Sequence, residues 1–339
     1  MKILAIETSC DETCAAIVEG TKIWSNVVWS QIDLHKGFGG VVPSIAKRAH
    51  EEKIDWVVNK ALVTDVDAVA VTVGPGLAIA LEVGIRKAKE LASKWNKPLV
   101  AVNHIEGHVL SGLTPEVKFP AMALVVSGGH TELIYAEKIG QYKIVARTMD
   151  DALGESLDKA ARMLGLGYPG GAMLEKKAEG GNAKAYPLPL PMKGRETERA
   201  FSYSGLKTAM WRIVNQLINS SVNQLSEQQI KDLAAGYQDM AFKHVVRVSK
   251  KTLEDFPVKD LLVGGGVAAN KELRKRLAEM AEELRFSVWF PAKGLYGDNA
   301  AMVGIAAGYK AEKGLYEANI DAVDREPRAR IDEVFKWRE

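Results

Sequence analysis

Short runs rich in Ile, Val and Ala alternate along the chain with longer stretches in which apolar residues recur every three or four positions. The short runs predict strands at KILAIE (2–7), DAVAVTV (67–73), PLVAV (98–102), FPAMALVVS (119–127), KDLLVGG (259–265) and FSVWF (286–290). The longer ones predict helices at about 44–62, 77–95, 154–164, 226–253, 269–284 and 298–313. Strands and helices in alternation are the pattern of an α/β protein.

The pattern also repeats. LAIETSCDETCAAIVE (4–19) reads strand, small polar turn, strand, and ALVVSGGHTELIYAE (123–137) reads the same way. Further on in each half a strand meets a glycine turn that opens a long helix, first in VAVTVGPGLAIALEVGIRKAKELA (69–92) and again in LLVGGGVAANKELRKRLAEMAEEL (261–284). A duplicated hairpin followed by strand, glycine turn and helix is the plan of the actin and sugar-kinase (ASKHA) architecture, in which two similar lobes close on a nucleotide. The expected fold is therefore a duplicated, two-lobed α/β protein. Its first lobe is expected at 1–120, with a C-terminal helix at about 300–315 packing back on it. The second lobe, with a helical insertion, is expected at 121–299, and a tail at 316–339.

Composition narrows the picture. A chain of 339 residues is long enough for two such lobes, and its net charge of +2 is too mild to mark a dedicated polyanion binder, so any nucleic-acid contact must be a local patch. The two cysteines, Cys10 and Cys14, are spaced C-x3-C, which fits neither a disulfide framework nor a pair of zinc knuckles and points to a reducing compartment. The opening MKILAIETSC is interrupted by Glu7 and does not read as a signal peptide, and no uncharged apolar run reaches membrane length. A cytoplasmic protein with no membrane partner is expected.

Three glycine turns stand at strand ends: SGGH (127–130), GPG (74–76) and GGG (264–266). Amides converging at such turns bind phosphate, since glycine permits close approach and a following helix favours an anion; each is otherwise a plain turn. Asp158 in GESLDKAARMLGLGYPGG (154–171) can accept from a ribose hydroxyl or pair with Lys159 or Arg162 on a solvated helix. Asn270 can reach a nucleotide or cap the helix that follows it. His104 and His108 share a face if 104–112 is helical, and neutral imidazoles so placed suit zinc or iron; otherwise they are a satisfied core pair. A protease HExxH helix needs Glu directly after the first His, where Ile105 stands, and Glu106 lies about 200° around the helix from both imidazoles. Asp298 is the candidate third ligand, or the cap of the last long helix. His130 is a further candidate whose glycine neighbours favour a turn, while His35, His50 and His244 lack partners at useful spacing. The stretch 191–212 mixes Lys193, Arg195, Arg199, Lys207 and Arg212 with Phe201, Tyr203 and Trp211, which suits either a nucleic-acid grip or a solvated loop leading into a helix.

Taken together, the motifs resemble the bacterial TsaD branch of the tRNA threonylcarbamoyladenosine enzymes, once described as O-sialoglycoprotein endopeptidases. The resemblance runs through IETSCDET (6–13), GFGGVVPSIAKRAH (37–50), AVTVGPGL (70–77), HIEGH (104–108), LVVSGGHTEL (124–133), GESLDKAARMLGLGYPGG, FSYSGLKTA (201–209), GGGVAANKELR (264–274) and GDNAAM (297–302), nearly the whole chain. It implies transfer of a threonylcarbamoyl group from threonylcarbamoyl-AMP to N6 of adenosine 37 in the anticodon loop of tRNAs that read codons beginning with A. It implies one divalent metal, Fe2+ or Zn2+, held by His104, His108 and Asp298. Val125, Val126, Ser127, Gly128, Gly129, Asp158, Gly171, Glu175 and Asn270 would line the adenylate pocket, and Glu12 would act as a helper or base. A TsaB-like paralogue and a TsaE-like ATPase would be partners. Against the family pattern, Ser156 and Leu157 replace a small residue and an aromatic one, and Tyr296 and Gly297 stand where Cys-Thr is usual. Val125 stands where archaeal and eukaryotic relatives carry a metal-binding Tyr. The tail 324–335 only loosely echoes the usual one, which puts a tRNA role for Arg325, Arg328 and Arg330 in doubt. A non-catalytic actin-like scaffold and a metalloprotease are the competing readings.

Overall fold

The structure, a computed structural model, describes residues 1–220 and 224–333. Two compact units emerge, one made of Met1–Glu116, Ala136–Lys143 and the chain from Phe290 onward, the other of Val117–Tyr135 and Ile144–Trp289.

The first unit opens with β1 (Lys2–Glu7), β2 (Glu12–Glu19) and β3 (Lys22–Ser30), an antiparallel run. A short helix α1 (Ile32–His35) and the longer α2 (Pro43–Ala61) lead to β4 (Ala68–Gly74), α3 (Ala78–Trp95), β5 (Leu99–Asn103) and α4 (His104–Leu110). β4 lies parallel to both β1 and β5, giving the order β3-β2-β1-β4-β5. Parallel strands covered on both faces need apolar residues at every position, and every residue of β4 and β5 is buried. Helix starts follow local chemistry: Pro43 occupies the first turn of α2, where a missing N–H costs nothing.

The second unit carries β6 (Ala121–Val126), β7 (Thr131–Lys138), β8 (Gln141–Thr148), α5 (Leu153–Met163), α6 (Gly170–Ala178), β9 (Ala200–Phe201), α7 (Ser204–Ser220), α8 (Glu227–Glu254), β10 (Asp260–Gly264), α9 (Lys271–Leu284) and β11 (Ser287–Trp289). A reciprocal capping box between Ser226 and Gln229 starts α8. The sheet order is β11-β10-β6-β7-β8-β9. Taken from the hairpin outward, β8-β7-β6-β10-β11 reproduces β3-β2-β1-β4-β5 of the first unit, so the predicted duplication is present strand for strand. All six predicted strands and six predicted helices form, with ends within two residues of those expected. β3 escaped prediction because it is partly exposed along both faces, so no clean alternation marks it; α6 escaped because it begins on two glycines.

The last helix, α10 (Ala300–Glu312), is apolar nearly all round and buried from Ala300 to Ala307. It packs on β1, β2 and α4 within the first unit. Gly304 makes that fit possible, since a Cβ there would lie 2.7 Å from Val18 Cγ2. The chain then runs back over the same unit. Glu317 N–H donates to the Leu99 carbonyl, Glu326 N–H donates to that of Val73, and Val323 and Ala329 join the apolar core. Among the described residues no helix is long and apolar enough to cross a membrane.

Gly304→Val overpacks the contact between α10 and β2. It is expected to lower the unfolding free energy by about 1–3 kcal/mol, seen as a lower urea midpoint at unchanged slope.

Candidate functional site

α4 starts where β5 ends. The Asn103 side chain caps it, accepting from Ile105 N–H at 2.8 Å and Glu106 N–H at 3.2 Å. The helix this secures puts His104 and His108 on one face, with ring centroids 4.7 Å apart. Between them Gly107 faces α10: a Cβ there would sit 3.1 Å from Met302 Cγ, so glycine lets the two helices approach. At the start of α10 the cap is Asn299, whose side chain accepts from Met302 N–H at 3.0 Å. Of the two roles open to Asp298, capping is thus taken by its neighbour, and its carboxylate turns to the imidazoles. Asp298 Oδ1 lies 3.1 Å from His108 Nε2 and 3.6 Å from His104 Nε2.

These three side chains each offer a ligand atom, all within 4.8 Å of one another. Metal bonds of about 2.0–2.2 Å to nitrogen and oxygen place neighbouring ligand atoms roughly 3–4 Å apart, the range in which both distances from Asp298 Oδ1 fall. His108 is fully buried, and apart from that carboxylate its ring has no hydrogen-bond partner among the described residues. Charge points the same way. Burial alone would keep His104 neutral, yet Asp298 and Glu7 outweigh it and push its pKa up to about 9. His108 moves the other way: burial, only partly opposed by its hydrogen bond to Asp298, holds it below the ordinary histidine value. Glu12, at the start of β2, has its carboxyl pushed well up by burial and then by Asp11 and Asp298. A nest of mutually repelling carboxylates around two imidazoles is relieved by a cation. Cys10 and Cys14 do not join it as thiolates, since burial and nearby carboxylates push both thiols up; the Cys14 thiol instead approaches the Asp298 carbonyl at 3.8 Å.

Glu106 is buried elsewhere. Its carboxylate lies beside Tyr142, whose phenol is pushed up by burial and then by that charge, and it acts on Lys310, whose ammonium donates to the Ala101 carbonyl at 2.6 Å. Sequence reasoning passed over Glu7, at the end of β1, although a charged residue closing an apolar strand is a readable signal. Its buried carboxylate contacts His104 Nδ1 at 3.1 Å.

In the second unit, Val125 and Val126 end β6 and are buried, and Ser127 closes the turn after them. Ser127 Oγ accepts from Gly129 N–H at 3.3 Å and His130 N–H at 3.1 Å, while Ser127 N–H donates to the His130 carbonyl, so His130 is a turn residue. A Cβ at Gly128 or Gly129 would meet nothing within 4 Å, so neither residue is glycine for packing reasons. Open space beside small residues is what close approach of a ligand needs. The GGG turn differs: Gly265 has φ +92°, and a Cβ on it would lie 2.4 Å from the Val126 carbonyl oxygen. Asp158 Oδ1 accepts from Gly171 N–H at 2.8 Å, while Lys159 reaches Asp151 and Glu155. Asn270 caps α9 through Glu272 and Leu273 N–H and donates to Gln238; Glu175 takes the Lys271 N–H at 2.8 Å. Glu175, Gln238 and Arg276 line a cavity of about 380 Å³.

Two expectations change. The GPG turn is no phosphate cradle, because Gly76 N–H donates to the Pro327 carbonyl and a Cβ on Gly74 would sit 1.9 Å from the Glu326 oxygen; the returning tail fills it. The basic stretch is largely neutralised: Arg195 pairs with Glu198, Arg199 with Asp255, and Lys207 with Asp151. Phe201 and Tyr203 are fully buried and cannot stack on a base, which leaves Trp211, Lys193 and Arg212 exposed. In the tail, Arg325 pairs with Glu82 and Arg330 with Asp332; the part of its motif at 334–335 lies outside the described residues.

The family model described as TsaD, tRNA N6-adenosine threonylcarbamoyltransferase, matches residues 22–305. A protein of that name from Brucella anthropi is 46% identical, over 97% of this chain and 94% of its own. Its Bacillus subtilis counterpart is also 46% identical, over 93% and 92%. Solved structures share the fold at low identity. Full-length HypF superposes with a TM-score of 0.60 at 13% identity over 94% of this chain, which spans about half of HypF (47%). The (R)-2-hydroxyglutaryl-CoA dehydratase component A of Acidaminococcus fermentans gives 0.54 at 15%, over 92% and 98%.

With His104 at about 9 and His108 below its ordinary value, the metal-free site carries one proton on His104 at neutral pH. A metal must displace it. Binding of Zn2+ near pH 7.5 is expected to release about one proton, and affinity to rise about tenfold per pH unit up to pH 9. Titration calorimetry in buffers of different ionisation heat measures the proton count.

Proposed function

Because the chain belongs to the tRNA N6-adenosine threonylcarbamoyltransferase family, we propose that it moves the threonylcarbamoyl group of threonylcarbamoyl-AMP to N6 of adenosine 37 in tRNAs reading codons that begin with A, releasing AMP. The observation that carries this reading is the coincidence of the family match with the His104–His108–Asp298 cluster.

The substrate is a mixed anhydride with a good leaving group, so the protein need supply no strong nucleophile of its own. It has to hold the carbamoyl carbon and align the weakly nucleophilic adenine amine with it. The new C–N bond forms as the C–O bond to phosphate breaks; the bond pair leaves with AMP and the amine gives up a proton. Glu12, at the start of β2 beside Asp11, would accept it. Val125, Val126, Ser127, Gly128 and Gly129 would receive the adenylate at the open turn, with Asp158, Gly171, Glu175 and Asn270 beside it. Their hydrogen bonds already fix the turn, the start of α6 and the start of α9, so these residues act through a rigid backbone more than through free side chains. His104, His108 and Asp298 would hold Fe2+ or Zn2+, which supplies Lewis-acid polarisation of acyl or phosphate oxygens.

Two of the departures from the family pattern, at Ser156 and Leu157, do not favour an inactive scaffold. Ser156 is buried in a hydrogen bond with the Tyr237 hydroxyl at 2.6 Å and Leu157 is a core residue, so both serve packing. The reading also includes the anticodon loop as the tRNA element bound, a TsaB-like paralogue and a TsaE-like ATPase as partners, and a cytoplasmic location.

The test supplies purified protein and its partners with threonylcarbamoyl-AMP and unmodified tRNA and looks for the modified nucleoside. Absence of product with an intact partner assembly refutes the activity. His104→Ala or Asp298→Ala is expected to reduce transfer at least about 100-fold, and full activity in either refutes the metal assignment. Gly128→Val has room in the fold and is expected to leave the melting temperature unchanged while weakening AMP binding tenfold or more, a loss of about 1.4 kcal/mol.

A further inference from the structure

Glu7 is an unusual residue to bury. It closes β1, the central strand of the first sheet, and its side chain is fully inaccessible. A carboxylate in such a place persists only if its lone pairs are taken up. Here they are. Oε1 accepts from Ser9 N–H at 2.5 Å, and Oε2 accepts from Thr72 Oγ1 at 2.5 Å and lies 3.1 Å from His104 Nδ1. Thr72 stands on β4, which runs parallel to β1 with Ile6 beside Val71, so the backbone register itself brings the hydroxyl to the carboxylate. Ser9 Oγ lies 3.2 Å from the same imidazole nitrogen.

This arrangement assigns roles to the two nitrogens of His104. A carboxylate accepts and cannot donate, so Nδ1 carries a hydrogen toward Glu7. Nε2 then faces the side where Asp298 Oδ1 and the His108 ring lie, and offers its lone pair there once the displaceable proton has left. Across the strand pair, Glu7 is partnered with Cys14, whose thiol approaches the Asp298 carbonyl at 3.8 Å. One cross-strand pair therefore touches two of the three candidate ligands, His104 at the start of α4 and Asp298 just before α10. Neither Glu7 nor Thr72 is itself placed to bind the ion.

The geometry points to Glu7 as a positioning residue: clamped by Thr72 and the Ser9 amide, it fixes the tautomer and ring orientation of His104 so that Nε2 is ready for a divalent cation. The inference rests on the metal reading of the triad and adds to it a residue that acts through a ligand. A carboxylate behind an imidazole also raises the basicity of the metal-bound nitrogen, and such partners typically change metal affinity by about 10–100-fold.

The experiment measures Zn2+ affinity by chelator competition on the full chain, comparing wild type with Glu7→Gln and Thr72→Val. Melting of the metal-free forms and Co2+ absorption spectra are recorded beside it. Glu7→Gln keeps the shape but puts an amide where three donors converge. It is expected to bind Zn2+ at least tenfold more weakly and to shift the Co2+ ligand-field bands. Thr72→Val retains the carboxylate and loosens its clamp, so a smaller loss in the same direction is expected, and it decides the matter should Glu7→Gln not fold. Affinities and spectra matching wild type in a folded variant overturn the positioning role while leaving the metal site standing. Wild type that binds neither Zn2+ nor Co2+ overturns the metal reading and the inference with it.

Discussion

Where β1, β4 and β5 end side by side, the first unit takes a carboxylate and two imidazoles out of water, and groups of that kind are costly to bury unless their polar atoms meet partners, as those of Glu7 do. Much of the local structure follows from that requirement. Thr72 is a hydroxyl on a strand that is otherwise apolar or glycine because Glu7 needs a donor beside it. Asn103 and Asn299 cap their helices and so leave the adjacent His104 and Asp298 free to face one another. Gly107 brings α4 against α10, the helix that Asp298 precedes. The ends of parallel strands are where open α/β sheets place their chemistry, because helices and turns converge there without interrupting the ladder.

Periodicity carried most of the architecture. The buried parallel strands are too apolar to be mistaken for loops, and the duplicated order of hairpin, strand, glycine turn and helix was visible before any coordinate. The site was legible in a different way: His104 and His108 by spacing, Asp298, Asp158, Asn270 and the SGGH turn as candidates with a plain structural alternative each, and Gly171 and Glu175 only through resemblance to a family. Their surroundings were not. Asp298 and Asn299 are both capable caps, and only geometry decides which of two adjacent side chains turns inward. The basic stretch at 191–212 looked open to a nucleic acid because two of its acidic partners, Asp151 and Asp255, lie about fifty residues away in sequence. Glu7 was hidden for the opposite reason, being a single charge inside a run that otherwise reads as core.

The two sheets share one order yet have come to use their glycine turns differently. In the second unit the SGGH turn is tied by Ser127 and left with open space over Gly128 and Gly129. In the first, the glycine turn after β4, the counterpart of the GGG turn after β10, is filled by the returning chain. Duplication thus supplied two similar frameworks whose glycine turns differ, one filled by its own chain and the other left open.

The returning tail has a practical meaning for anyone who edits this chain. Val323, Ala329 and Ile331 are interior residues, and the Pro327 carbonyl is the partner of a turn amide some 250 residues earlier. Removing the segment after α10 would open a groove lined by Val73, Gly74 and Gly76 and leave that amide bare. Anything cut short of Ile331 removes part of the wall behind β4 and, one strand away, the footing of Glu7.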